Sequence, residues 1–253
     1  MSILAFVIWQ GCSLDDGGKD VVVQIEEEFR VNMFEQLGAN RNLFFELESV
    51  ENEPCLNSTI DIVVINQPDK ITLKLNGIKT ATDCNIGEGP ARSTINAGSV
   101  DAGVYNLLVV VGNTVENEGK LSVNDSRYEI EMYSMDGIFI TNKTLHRIPS
   151  NSLWGYIAYD DEILAGTAPD EFISDLESIT ETNQLVEGYY GQFEIKSTGE
   201  LTLRTLPTAT HYQTFSYHFN GELNDLKNLI QDHRNSTNGV MEIVVYTSDG
   251  KIL

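Results

Sequence analysis

Residues 21 to 149 alternate between apolar and polar side chains with a period of two along most of their length. That period predicts β-strands, because successive side chains of a strand point to opposite faces of a sheet. Turn residues separate the alternating runs, as in "QPDK" (67–70), "NIGEGP" (85–90) and "SMDG" (134–137). Repeated short strands of this kind predict an antiparallel β-sandwich. The predicted strands are Val21–Phe29, Leu43–Leu47, Thr59–Ile65, Lys70–Leu75, Tyr105–Val111, Lys120–Val123, Tyr128–Met132 and Ile138–Asn142.

The pattern changes after "RIPSNS" (147–152), which we take as a domain boundary. "LWGYIAY" (153–159) is typical of a strand, and residues 186–206 predict a hairpin that turns at Ser197–Gly199. Apolar residues at helical spacing predict helices over 167–179 and 220–235, the first with Thr167 as its N-cap. Two helices on one face of an antiparallel sheet satisfy this order, as in a split β-α-β arrangement.

A tyrosine at the start of one strand resembles a feature of immunoglobulin-like domains. The segment "DAGVYNLLVVV" (101–111) has the Gly-x-Tyr pattern that precedes a late strand of that fold. The resemblance implies that the Tyr105 hydroxyl binds nearby backbone, although an ordinary strand beginning with Tyr is the alternative. The predicted fold is therefore an all-β immunoglobulin-like sandwich (residues 21–148) followed by an α+β ferredoxin-like (split β-α-β) domain (residues 149–253).

The N-terminus combines a short apolar run, Ile3–Trp9, with Gly11 and Cys12. The run is too short for a membrane span, which needs roughly 20 residues, but has the length of a signal-peptide core. Gly11-Cys12 resembles the lipobox of bacterial lipoproteins. The resemblance implies that residues 1–11 are a removable signal peptide, that Cys12 carries the lipid, and that residues 12–20 form the anchor and tether. A buried N-terminal strand with a structural cysteine is the alternative.

Acidic residues soon after Cys12 resemble the export signal of surface lipoproteins in the Bacteroidota. Ser13 follows the cysteine, and Asp15 and Asp16 follow after one further residue. This resemblance implies an outer-membrane lipoprotein exposed at the cell surface, with a periplasm-facing orientation as the alternative.

The formal net charge of -22 limits the partners that the protein can bind. Such a surface repels phosphate backbones and anionic lipids, which argues against nucleic-acid binding. Membrane contact is therefore expected through the lipid. The acidic residues do not have the spacing of a calcium-binding loop, and solubility is the simpler reason for the charge.

The three cysteines are Cys12, Cys55 and Cys84. If Cys12 is lipidated, the other two remain as a pair in an oxidising compartment, which favours a disulfide. Two free buried thiols are the alternative. Neither cysteine has the C-x-x-C spacing of a metal site.

Sequence motifs of catalysis are missing from the chain. There is no G-x-S-x-G nucleophile motif and no phosphate-binding glycine loop before a predicted helix. His211 and His218 lie too far apart on one strand to share a metal. The hairpin carboxylates Glu187, Glu194 and Glu200 are expected on a solvated face. We predict no catalytic residue, metal or cofactor.

Aromatic residues concentrate in the second predicted domain and form the candidate binding surface. They could stack on sugar rings or anchor a protein partner. Alternatively, they could pack beneath the two helices or fill the solvent face of the sheet, as residues that favour strands often do. The candidates are Trp154, Tyr156, Tyr159, Tyr189, Tyr190 and Tyr217, with Tyr212 nearby.

Two functional hypotheses follow from the sequence. The first is a lipid-anchored, non-catalytic envelope protein with a binding or accessory role toward an envelope protein complex or a glycan. The second is a secreted-side hydrolase with a carboxylate-based site between the domains.

Overall fold

A computed structural model of the protein describes residues 26–38 and 40–253. Strands predominate, as the alternation predicts. The strands are β1 (Phe29–Gln36), β2 (Asn42–Cys55), β3 (Thr59–Gln67), β4 (Lys70–Lys79), β5 (Ile86–Gly98), β6 (Gly103–Val111), β7 (Val115–Val123), β8 (Arg127–Met132), β9 (Ile138–Ile140), β10 (Thr144–His146), β11 (Ser152–Tyr159), β12 (Glu181–Thr182), β13 (Gly188–Tyr189), β14 (Phe193–Ile195), β15 (Leu201–Leu203), β16 (His211–His218) and β17 (Met241–Thr247). The helices are α1 (Glu162–Ala165), α2 (Ala168–Ser178) and α3 (Leu223–Ser236). None of these helices is both long and apolar enough to cross a membrane.

The first ten strands form two sheets that enclose one core, which we call the sandwich. One sheet has the order β5-β2-β1-β9 and the other the order β10-β8-β7-β6-β4-β3. Their inward side chains meet between the sheets, so that Phe45, Leu73 and Tyr128 are completely buried. Neighbouring strands are antiparallel except β1 beside β9 and β4 beside β6. The period-two alternation therefore marks which side chains enter this core.

Two of the three predicted turns are confirmed, and one is wrong. Pro68 and Asp69 connect β3 to β4 within "QPDK", and "SMDG" separates β8 from β9. "NIGEGP", predicted as a turn, lies instead mostly within β5. Pro90 fits there because β5 is the outermost strand of its sheet, where a residue without an amide hydrogen breaks no ladder.

The first predicted strand differs from the structure over the part that the structure describes. Of the predicted range Val21–Phe29, residues 21–25 lie outside the described residues, and β1 begins only at Phe29. It then continues to Gln36, with alternate residues buried. The run of three glutamates before Phe29 offers no apolar side chain for the core, which is consistent with a strand that starts after it.

A second four-stranded sheet, with the order β12-β16-β11-β17, is entirely antiparallel. Helices α2 and α3 cover one of its faces, and Phe172, Leu176 and Ile230 are buried there. Both predicted helices are confirmed. The Thr167 hydroxyl does not cap the first of them, however, because it donates to the Glu171 carboxylate instead.

The opposite face of this sheet is covered by β13-β14-β15, which we call the small sheet. Its β14–β15 hairpin turns within residues 196–200, as predicted. Trp154 of β11 packs against Phe193 of β14, with 5.4 Å between ring centroids. Gly155 has no room for a side chain, since a Cβ would collide with the Val244 carbonyl oxygen. Strand β11 is therefore covered on both faces, which explains its continuous apolar sequence.

The last three residues add a further pairing to β17. Leu253 donates its amide to the Val245 carbonyl oxygen at 2.9 Å, and Thr247 donates to Lys251 at 3.0 Å. Tyr246 and Ile252 form an antiparallel bridge between these contacts. The side of β17 that faces away from β11 is thus partly occupied by the chain itself.

A buried carboxylate joins the sandwich to the rest of the molecule. Glu35 of β1 is 2% exposed and accepts hydrogen bonds from Tyr128, Arg147 and Arg41 at 2.9, 2.9 and 3.3 Å. Arg41 also donates to the carbonyl oxygens of Ile148 and Ser248, the second of which directly follows β17. Burial, together with the charge of Glu35, raises the pKa of Tyr128. Tyr128 is therefore a neutral donor over the whole physiological range.

The disulfide between Cys55 and Cys84 is present. It connects the end of β2 to the loop before β5, with 5.2 Å between the two Cα atoms. The pairing that the cysteine count favours is therefore confirmed, and the alternative of two free thiols is wrong.

Candidate functional site

The outer face of the β5-β2-β1-β9 sheet carries an alternating row of charged side chains. Strand register places Arg30 opposite Glu48, and Glu48 opposite Arg92. Arg30 Nη1 donates to Glu48 Oε1 at 3.2 Å, and Arg92 Nε donates to Oε2 at 2.9 Å. These residues point outward because their sequence neighbours fill the sandwich core.

The small sheet projects over the same face and closes one side of it. Arg204, directly after β15, donates from Nη2 to Glu46 Oε1 at 2.8 Å. Asn32 of β1 donates to the Tyr189 hydroxyl of β13 at 2.9 Å. The Arg204 guanidinium also lies 5.4 Å from the centroid of the Phe34 ring. Residues far apart in sequence therefore meet at one place.

Between these groups lies a cleft of about 310 Å³, which we call the arginine cleft. Its charged lining consists of Arg30, Arg92, Arg204, Glu46 and Glu48, and its neutral polar lining includes Thr94. Three guanidinium groups face two carboxylates, so the cleft is locally positive in a chain of net charge -22. A concave site with converging polar groups is the usual form of a ligand-binding site.

The arginines of the cleft are only partly occupied by protein acceptors. Within residues 26–38 and 40–253, the Arg30, Arg92 and Arg204 side chains each make hydrogen bonds through a single nitrogen. Their side chains remain 46%, 67% and 46% exposed. Since a guanidinium has five N–H donors, several donors of each group are available to a ligand.

Charge pairing holds Arg204 in its ionised form. Burial lowers the pKa of Arg204, but the hydrogen bond to Glu46 and the charge of that carboxylate more than offset it, and the pKa is raised overall. Burial also raises the pKa of Tyr189, which keeps its hydroxyl neutral. The cleft thus presents fixed cations beside a neutral phenol.

The structure does not bring the six predicted aromatic binding residues to one surface. Trp154 and Tyr190 are 3% and 4% exposed and pack in the core of the small sheet, and Tyr156 packs against the same core. Tyr159 and Tyr217 instead pack partly against the helix-covered core. Of the six, Tyr189 accepts a hydrogen bond from Asn32, a residue that lines the arginine cleft. The alternative, burial beneath the helices, does not apply to Trp154, because that ring packs against the small sheet on the opposite face.

Other predicted groups take structural positions. Glu187, Glu194 and Glu200 are exposed, as expected for the solvated side of the hairpin. Asp161, one of three adjacent acidic residues, accepts from the amides of Ile163 and Leu164 and so caps α1. Within the part of the chain that the structure describes, no cluster of three or more His, Cys, Asp or Glu side chains is arranged to hold a metal.

Sequence reasoning missed the arginine cleft. The available signal was the outward set on β1 and β2, namely Arg30 and Asn32 beside Glu46 and Glu48, at a spacing of two residues. Arg92 gives no signal, because residues 85–90 at the start of its strand predict a turn and no strand is predicted between Leu75 and Tyr105. The chain matches no protein-family model, no curated protein and no solved structure.

Proposed function

We propose that this protein is a lipid-anchored cell-envelope protein that binds its ligand in the arginine cleft without catalysing a reaction. The observation that carries the proposal is the set of three partly exposed guanidinium groups converging on one cleft. Such an arrangement orients a ligand through directional hydrogen bonds. The ligand belongs to the envelope or its surroundings, as a glycan or as a component of a protein complex.

A binding role agrees better than hydrolysis with the hydrogen bonds that the cleft carboxylates accept. Glu46 and Glu48 are two residues apart on β2, a separation of about 6–7 Å along a strand, which is close to the spacing in some glycosidases. This spacing favours the second candidate function, a carboxylate-based hydrolase. However, guanidinium groups bind both carboxylates. Both oxygens of Glu48 are engaged by protein donors in this way, whereas a catalytic carboxylate must reach the substrate.

The proposed architecture is an immunoglobulin-like sandwich over residues 21–148 and a ferredoxin-like domain over residues 149–253. The Tyr105 hydroxyl donates to the Asp101 carbonyl oxygen at 3.1 Å, the contact implied by the immunoglobulin-like resemblance. The order β12-β16-β11-β17, with α2 after β11 and α3 after β16, supports the ferredoxin-like assignment. The small sheet is an insertion between β12 and β16. The sandwich would hold the second domain away from the membrane.

The anchor is proposed from the resemblance of Gly11-Cys12 to a lipobox, and both residues lie outside the described part of the chain. Cys12→Ala is expected to move nearly all of the protein from the membrane fraction to the soluble fraction, because the acylated thiol would be lost. Fractionation and a mass measurement of the mature N-terminus provide the readout. Ser197→Ala, an exposed change in the hairpin turn, is the control and should stay with the membranes. Equal membrane association of Cys12→Ala and the wild type would overturn the anchor.

Binding in the cleft is tested by retention of the full chain on material prepared from bacterial envelopes. Arg204→Ala is expected to lower retention about tenfold, since a hydrogen bond to a charged group contributes roughly 1.5–3 kcal/mol. Arg127→Ala is the matched control, because Arg127 is also 46% exposed and pairs with a carboxylate, Glu129, outside the cleft. Unchanged retention of Arg204→Ala would overturn the proposed function. Release of soluble sugar from the material would favour the hydrolase.

A further inference from the structure

The arginine cleft has a donor pattern that matches a carboxylate. A guanidinium presents parallel N–H groups in a plane, which pair with the two oxygens of a carboxylate. Arg30 and Arg92 flank Glu48 on neighbouring strands, and Arg204 reaches the same cleft from the small sheet. Each keeps N–H groups without a partner among the described residues. An acidic group on the ligand would complete these hydrogen bonds.

The remaining lining suits a ligand that is rich in hydroxyl groups. Glu46 and Glu48 are acceptors, while Asn32, Thr94 and Thr141 offer both donors and acceptors. Sugar hydroxyls likewise both donate and accept. Beside the cleft, Phe139 of β9 lies opposite Arg30 on the same outer face and is 40% exposed. An exposed aromatic ring next to polar groups offers a flat apolar surface on which a sugar ring packs.

Electrostatics limit how many charges the ligand carries. The chain as a whole repels anions, since its net charge is -22, while the cleft has only one more cation than anions. A polymer with a charge on every unit would therefore be repelled over distances of about the Debye length, roughly 8 Å at physiological salt. A ligand polymer that is mostly neutral and carries isolated carboxylates avoids this repulsion.

An acidic peptide fits the cleft less well. Extended peptides commonly bind by adding a strand to a free sheet edge. The cleft lies on a sheet face, and its charged residues Arg30, Glu46 and Glu48 each have a strand partner on both sides. At these three positions the main chain is therefore not at a free edge that could receive a peptide backbone.

From these observations we propose that the arginine cleft binds an acidic glycan, an inference that rests on the binding function proposed above. A uronate carboxylate of the glycan lies against Arg30, Arg92 and Arg204. A neutral sugar ring next to it lies toward Phe139. The class of ligand is thus a polysaccharide with separated uronate residues.

The test compares two trisaccharides for binding to the full chain by calorimetry. One has a central glucuronate, and the other is its carboxyl-reduced counterpart, which differs only in that group. The glucuronate form is expected to bind at least about tenfold more tightly, with an affinity that falls as salt rises. Arg30→Ala, Arg92→Ala and Arg204→Ala should each remove most of this preference, whereas Arg127→Ala should keep it.

The outcomes separate this inference from the proposed function. Equal binding of the two trisaccharides, while Arg204→Ala still loses retention on envelope material, would overturn the glycan assignment and leave the binding function standing. Tighter binding of a hexapeptide of alternating Glu and Ser than of the glucuronate trisaccharide would also overturn it, in favour of an acidic peptide. Arg204→Lys is a conservative variant that is expected to leave the fold intact. It retains the charge but not the fork, so it should lose part of the preference with unchanged thermal stability.

Discussion

Replacement of Glu35 by alanine is expected to lower the free energy of unfolding by about 3–5 kcal/mol. The carboxylate is 2% exposed and receives three hydrogen bonds, from Tyr128, Arg41 and Arg147. Its removal leaves a buried hydroxyl without an acceptor and two guanidinium groups, each about one-fifth exposed, without a counter-ion. The cost arises chiefly from these stranded partners, because desolvated charges are stabilised only when they are paired.

Glu48 provides a matched control for this experiment. It also pairs with two arginines, but its side chain is 33% exposed, so water stabilises its partners when it is removed. Glu48→Ala is therefore expected to cost less than about 1 kcal/mol. Urea unfolding followed by circular dichroism measures both variants. Equal costs for the two replacements would contradict the importance of burial at Glu35.

Loss of the Cys55–Cys84 disulfide is expected to cost roughly 3.5 kcal/mol, from the entropy of the loop that it closes. The bond joins residues 29 apart in sequence and encloses both β3 and β4. Without it, the unfolded chain gains conformations that the native sandwich must exclude. Cys55→Ser, measured by urea unfolding, should give this loss.

The pair of cysteines contains its own control. Cys84→Ser should cost as much as Cys55→Ser, and the double replacement should cost no more than either one alone, because a single bond is lost in each case. A reducing agent should destabilise the wild type but leave the double variant unchanged. Additive costs of the two serine replacements would show that the thiols stabilise the fold separately.

Much of the sandwich could be predicted because side-chain alternation reports directly on burial. The "QPDK" and "SMDG" turns and both long helices of the second half were recognisable for the same local reasons. Strand β5 escaped because Gly87, Gly89 and Pro90 have strong turn preferences. Because β5 is an edge strand, it tolerates these glycine and proline residues. Which strand lies at the edge is decided by the tertiary fold and not by the local sequence.

The elements that pack on the two faces of β11 also could not be predicted from local sequence patterns. Its continuous apolar run indicates burial on both faces but does not indicate which elements bury it. One interpretation of the sequence places the aromatic face of β11 beneath the helices, whereas the small sheet covers Trp154. The helices and the small sheet both have apolar faces that could cover this side of β11. The sequence of the strand alone does not show which of them does.

The arginine cleft depends on register and on distant contacts. An outward charged residue such as Arg30 has the same sequence pattern as any solvated strand position. Only strand pairing places it beside Glu48 and Arg92, and Arg204 lies 158 positions from its partner Glu46. Local spacing marks Arg30, Glu46 and Glu48 as outward-facing but does not contain these pairings, so the disulfide could be predicted from the sequence and the cleft could not.

The pairing of residues 251–253 with β17 has a consequence for how copies of this protein coexist. An unpaired strand at the side of a sheet is a template for association with another molecule. Here Leu253 and Lys251 use main-chain groups of Val245 and Thr247 that a neighbouring copy would otherwise engage. The opposite outer strand, β12, has only two residues. On the β17 side, this pairing leaves a neighbouring copy fewer main-chain groups to engage, whereas β12 pairs with only Tyr217 and His218 of the longer strand β16.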